Sequence, residues 1–210
     1  MGDSVKNSKE QYAKQIYAKQ VRAIYGSFSV AIGGSFLGAF FLMALQWDVV
    51  DKNNMLKWFS LFAAFQLIRA VFLYYFKKLQ PDDDACLFWG QGFVYSSLVA
   101  GLIWATGVYV TFTPGNLPYQ LTVSIITVGL SAGAVSTLSV MRRAFVAYVT
   151  PIMLSLVILF MLEMTYISTV LSISMFLTML FIMRGADNFY VSNEVNFRLL
   201  LEAADRENQL

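Results

Sequence analysis

The chain has 210 residues, of which 58% are hydrophobic, 16% aromatic and 13% charged, with a formal net charge of +2 and a mean hydropathy of +0.60. Soluble domains carry about 25% charged residues, so a water-exposed surface is excluded and one facing lipid is expected. The small positive charge sits in connectors and argues against a nucleic-acid partner. The single cysteine, Cys86, excludes an intramolecular disulfide, and the absence of histidine removes the commonest metal ligand and general base, so no metal or cofactor is expected.

Residues 1–25 are polar and basic, with Lys6, Lys9, Lys14, Lys19 and Arg22, and show no cleavable signal peptide. Tyr12, Ile16, Tyr17, Val21 and Ile24 form a weak helical stripe. It fits an interfacial helix lying on the cytoplasmic leaflet, or a solvated tail that sets topology. Six apolar runs follow, at about 26–46, 56–76, 88–112, 118–139, 144–162 and 165–183. Each matches the ~20 residues that span ~30 Å of hydrocarbon. Only Glu163 separates the last two; one helix through both would far exceed a bilayer, so a hairpin is expected. The fold class is thus an all-α integral membrane protein: a six-helix transmembrane domain over 26–185, an N-terminal segment over 1–25 and a polar, helix-prone segment over 186–210. Leu199, Ala203 and Leu210 share a stripe there with Arg206, and the pattern reaches Leu210 without a stop signal, as in a helix that continues in a longer parent, or in a short natural tail.

Orientation follows from the loop cations. With the N-terminus inside, the inner segments hold Lys6, Lys9, Lys14, Lys19, Arg22, Lys77, Lys78, Arg142, Arg143, Arg184, Arg198 and Arg206, and the outer ones only Lys52 and Lys57. Both ends are therefore expected in the cytoplasm. Trp47, Trp58 and Tyr109 fit an outer aromatic belt and Trp89 an inner one. The acidic run Asp82, Asp83 and Asp84 fits weak cation binding, or a solvated offset to Lys77 and Lys78.

Candidate site residues are those that a bilayer penalises. Arg69 is the basic residue well inside a run, and Gln66 shares its helix face. An intramembrane cation marks a functional site; alternatively, at roughly 12 Å from Lys77 by helical rise, it snorkels to the inner headgroups. Run four carries Gln120, Ser124, Thr127 and Ser131 on one face. That face is expected to point inward, toward runs three and six, as a pocket wall or as interhelical hydrogen-bonding glue. Run six aligns Ser168, Ser172, Met175 and Met179, suited to a flexible apolar ligand or to ordinary packing. Trp104 lies deep enough to line a cavity. The candidate pocket therefore comprises Arg69, Gln66, Trp104, Gln120, Ser124, Thr127, Ser131, Ser172 and Met175. Three small-x-x-x-small patterns (Gly34 and Gly38; Gly129 and Gly133; Ser97, Gly101 and Ala105) permit close helix approach, and Pro151 is expected to kink run five or free a carbonyl.

No G-x-S-x-G, H-E-x-x-H, C-x-x-C or P-loop is present, which argues against an enzyme. One intramembrane cation and no evident repeat argue against a transporter, which remains the competing class together with a passive membrane anchor. The stretches Gly101-Leu-Ile-Trp104, Val128-Gly-Leu-Ser-Ala-Gly-Ala134 and Phe145-Val-Ala-Tyr-Val-Thr-Pro151 resemble the N-terminal six-helix membrane regions of GGDEF-type diguanylate cyclases and of some membrane histidine kinases. The polar helix from Asp187 is similar to the signalling helix that follows such regions. The resemblance covers most of 20–210; the Gly-Gly-Asp-Glu-Phe loop itself is absent. It implies a non-enzymatic input module in a bacterial inner membrane, dimeric, controlling a cytoplasmic output such as cyclic di-GMP synthesis. With no sizeable outer loop, the expected signal is an apolar small molecule or lipid sensed within the bilayer.

Overall fold

The structure, a computed structural model, describes the backbone of residues 2–207 and the side chains of residues 11–200 and of Arg206. It holds six helices: α1 (Gly2–Gln46), α2 (Lys52–Leu79), α3 (Ala85–Thr111), α4 (Leu117–Leu138), α5 (Arg142–Leu162) and α6 (Tyr166–Glu207). No strand occurs among the described residues. Each helix is long and apolar enough to cross a membrane, and the chain is a multi-pass membrane protein. Helices suit that medium because they satisfy their own backbone groups where water is absent.

The ends of the helices follow local chemistry. Asp51 caps α2, accepting from the Asn53 N–H at 2.8 Å, and Lys77 and Lys78 occupy its last turn, where a cation complements the helix dipole. Gln80 then turns the chain with φ +44°. The hairpin expected at Glu163 is present: α5 ends at Leu162, and Met164, at φ +53°, turns the chain into α6.

The N-terminal segment departs from the interfacial helix expected for it. It is the first half of α1, unbroken through Gly26. Its apolar stripe meets protein rather than headgroups, with Ile16, Val21 and Ile24 buried. The reason is the partner it finds. Tyr17 and Val21 sit over Gly90 of α3, where a Cβ would stand 2.3 Å from the Tyr17 hydroxyl oxygen. Arg22 binds Asp83 at 2.8 Å and Lys14 binds Asp84, so the acidic run answers the cations of α1 rather than Lys77 and Lys78. Asp82 instead accepts from the Ala85 N–H at 2.8 Å, at the start of α3.

α6 also runs without a break, through Gly185. With 45 and 42 residues, α1 and α6 are each roughly 65 Å long at 1.5 Å per residue, twice the ~30 Å of hydrocarbon. They overshoot the bundle on the same side. The Tyr12 hydroxyl reaches the Arg198 carbonyl at 3.4 Å, and Arg142 holds Asp187 at 2.5 Å. The side chains of Lys6 and Lys9 among the inner cations, and of Ala203 and Leu210 in the α6 stripe, lie outside the described residues.

Within the bundle α3 packs most closely on α5 and also meets α1 and α2, while α4 packs chiefly on α1 and α5. A Cβ on Gly101 would stand 2.4 Å from the Tyr148 carbonyl oxygen and 3.1 Å from that of Ala147. Pro151 has no N–H and therefore frees the Ala147 carbonyl four residues earlier. The Gly101 backbone covers it, and α5 stays continuous. Trp58 is not in an outer belt. It is buried, its ring fills the space over Gly107, and its indole N–H donates to the Ile103 carbonyl at 2.8 Å. The expected outcome of Gly101→Ala is a destabilisation of about 1–3 kcal/mol, because a backbone carbonyl cannot rotate away. Gly34→Ala, whose Cβ meets nothing within 4 Å, is expected to keep stability or raise it by up to about 1 kcal/mol, since alanine favours a helix interior. Thermal melts of the two variants in one detergent check the contrast.

Candidate ligand-binding site

Arg69 projects from α2 into the bundle, not toward the headgroups. It lies about 15 Å from the Leu79 end of its helix by helical rise and is 4% exposed, so it does not snorkel. Its guanidinium carbon stands 4.4 Å from the ring centre of Phe28 on α1 and 5.9 Å from that of Phe93 on α3. An aromatic face attracts a cation, by about 2 kcal/mol or more when desolvated. Its Nη1 donates to Gln66 Oε1 at 3.3 Å, across one helical turn. Its Nε has no partner, and none of the ion pairs among the described residues includes it. A full positive charge is therefore held in an apolar bundle without a counter-charge, an arrangement that strongly favours an incoming anion.

Arg69 forms part of the wall of a cavity of about 540 Å³ between α1 and α4. Volumes of about 300–1,000 Å³ are typical of small-molecule sites. The cavity exists because of glycines. Gly34 on α1 and Gly129 and Gly133 on α4 line it, and a Cβ on any of them would meet nothing within 4 Å. These small-x-x-x-small patterns thus leave a slot open where close approach is expected; only at Gly38 would a Cβ meet neighbours, the Trp104 ring at 3.5 Å and Leu130 of α4 at 3.6 Å. Polar groups in the wall are few. Ser35 and Tyr148 share a hydrogen bond of 3.3 Å beside Arg69. Val30, Leu37 and Leu45, all more than half exposed, mark the side that opens toward lipid.

The other candidate residues lie elsewhere. Gln120, Ser124, Thr127 and Ser131 face inward and are buried, as expected. They do not line the α1–α4 cavity, because the glycine face lies on another side of α4. Their inward direction also differs in part from the expected one, since α4 meets α5 and α6 but scarcely touches α3. Ser124 and Ser131 donate to carbonyls one turn back, Gln120 and Thr127, each at 2.8 Å. Gln120 belongs to a latch at the opposite end of the bundle from the α1–α6 overshoot. There Glu163 accepts from Gln120, from the Gly115 N–H at 2.8 Å and from Ser168 at 2.6 Å. Ser172 donates to the Val157 carbonyl at 2.9 Å, tying α6 to α5, and Met175 packs against the core nearby. Trp104 is buried edge-on to Trp58 and Phe62, with its indole N–H unpartnered.

Of the nine candidates, Arg69 alone lines the cavity; Gln66 orients it and Trp104 backs its wall at Gly38. Ser35, Tyr148, Phe28 and the glycines were missed as site residues. The glycines carry a sequence signal, the small-x-x-x-small spacing, which by itself indicates packing. The other three, Phe28 and Ser35 on α1 and Tyr148 on α5, are ordinary residues and carry none. No group of His, Cys, Asp or Glu able to hold a metal occurs among the described residues. No family model matches the chain, no curated protein matches it, and no solved structure matches its fold.

If the guanidinium is an unpaired buried charge, removing it relieves the bundle. Arg69→Met, which keeps the length of the side chain, is expected to raise stability by about 1 kcal/mol or more in a neutral, lipid-free detergent. A thermal melt reads the sign, and a fall would show that Arg69 holds the fold together.

Proposed function

We propose that the chain is a membrane-embedded input module. In this reading it sits in a bacterial inner membrane with both ends in the cytoplasm, takes up an apolar molecule or lipid from the bilayer, and controls a cytoplasmic output through its long terminal helices. The resemblance to the membrane regions of GGDEF-type cyclases and histidine kinases supports this. So does the excess of Lys and Arg at the end of the bundle where α1 and α6 overshoot.

The observation that carries the proposal is the double duty of α1. One unbroken helix forms a wall of the cavity at Gly34 and, further toward its start, packs beside α6 at Tyr12. A ligand that favours one spacing of α1 and α4 would bias the position of the α1–α6 pair, a population shift carried by rigid helices. The α6 extension exposes Phe189, Val191, Val195 and Leu199 beside charged residues. An apolar strip of that kind suits pairing with a second copy, and the module is proposed to act as a dimer. All six helices are continuous, without the broken spans that build transporter sites.

Two measurements test the reading. In a Cys86→Ser background, cysteines at Asn53 and Asp82 are expected to react from opposite sides of the membrane, Asn53 from outside; labelling of Asp82 from outside would reverse the topology. In a fusion to a diguanylate cyclase catalytic domain, inserting one to four residues after Ala186 is expected to change cyclic di-GMP output with helical periodicity. Output indifferent to phase leaves a passive anchor, and solute flux in liposomes establishes a transporter.

A further inference from the structure

We infer that the α1–α4 cavity binds a single-chain amphiphile with an anionic head, a carboxylate or phosphate that docks on Arg69 while its hydrocarbon tail lies along the glycine slot. The inference names the ligand class for the input module proposed above, and its binding test uses no output domain, so the two readings fail separately.

The head is specified by charge. Arg69 is 96% shielded, lines the cavity, keeps Nε without a partner and has no carboxylate paired with it among the described residues. A guanidinium matches carboxylate and phosphate oxygens geometrically, and the bond is strengthened where water is excluded. Ser35 and Tyr148, already bonded to each other beside it, add hydroxyls that can turn toward an oxyanion. A neutral lipid would leave the cation uncompensated, so the site discriminates by charge.

The tail is specified by shape. From Val30 to Leu45 the slot follows α1 for roughly 22 Å by helical rise, and apart from Ser136 and Thr137, whose hydroxyls bond to carbonyls of α4 itself, its remaining wall is apolar. Its free width is that of the side chains that Gly34, Gly129 and Gly133 lack, which suits one hydrocarbon chain. Exposed Val30 and Leu37 on the lipid side give lateral entry from the bilayer, so the tail need not cross water. Arg69 sits toward the charged end of the bundle, which places the head there and the tail toward Leu45.

Binding of tritiated oleate to the full chain in zwitterionic nanodiscs tests this, with oleyl alcohol, oleyl phosphate and a two-chain anionic phospholipid as competitors. One saturable site per chain is expected. Oleyl alcohol should compete about tenfold or more weakly than oleate, the difference made by a charge-assisted contact. The better of oleate and oleyl phosphate identifies the head. Arg69→Met should lower oleate affinity by about tenfold or more and leave oleyl alcohol unchanged. Gly133→Leu, entering open space, should abolish both. Equal competition by acid and alcohol, or oleate binding indifferent to Arg69→Met, overturns the anionic head. Oleate binding that survives Gly133→Leu overturns the location, and equal competition by the two-chain lipid overturns the single chain. Should Arg69→Met fail to fold, the acid-against-alcohol comparison on the native chain still decides.

Discussion

Where α3 crosses α5, a backbone carbonyl occupies the place a side chain would take on Gly101. Helices in lipid gain little from burying apolar surface against each other, because lipid tails are equally apolar, so contact distance governs their association. Gly101 allows the backbone of α3 to reach the stretch of α5 that Pro151 leaves short of a donor. The freed Ala147 carbonyl oxygen lies 3.1 Å from where a Cβ on Gly101 would stand, so the α3 backbone closes over it. The Trp58 ring over Gly107 repeats the device between α2 and α3. Once these three helices are set at short range, α1, α4 and α6 are placed around them.

The same residue type has the opposite consequence on the other side of the bundle. Gly34, Gly129 and Gly133 face a gap. A missing side chain shortens a contact only if the neighbouring helix is free to move in. Here α1 is anchored at its overshooting end by Tyr17 over Gly90 and by the Arg22 and Lys14 ion pairs, and at its far end by Gln46 on the Tyr119 carbonyl at 2.9 Å. Between the two anchors Gly34 on α1 and Gly129 and Gly133 on α4 leave the space between the packed helices unfilled, and Arg69 lies at the edge of the resulting slot.

An unpaired cation in an apolar medium is unfavourable, and aromatic faces offset that only in part. A bound anion would remove the conflict, so occupancy and bundle geometry are expected to be linked. The surface ion pairs at Asp83, Asp84 and Asp187 are each worth little in water. Three of them at the base of the long helices nonetheless define how α1 and α6 leave the bundle. In the proposed input module, those are the joints through which a change in the slot would be felt.

The bilayer made the architecture legible in the sequence. Twenty-residue apolar runs, the turn at Glu163 and the loop cations each answer a constraint that acts along the chain, namely hydrocarbon thickness, backbone satisfaction or charge, and the six helices follow. The candidate site was legible only in Arg69 and its neighbour Gln66, since a lone charge among apolar residues is conspicuous without any partner. The rest depended on contacts between segments far apart in sequence. Whether 1–25 lies on a leaflet or continues α1 was decided by Gly90 and the Asp83–Asp84 pair. Whether Trp58 meets headgroups or a core was decided by Gly107. Whether a glycine pair closes an interface or opens a slot was decided by what the opposing helix can reach. A helical period states which residues share a face, and only the tertiary structure supplies the surface that the face meets.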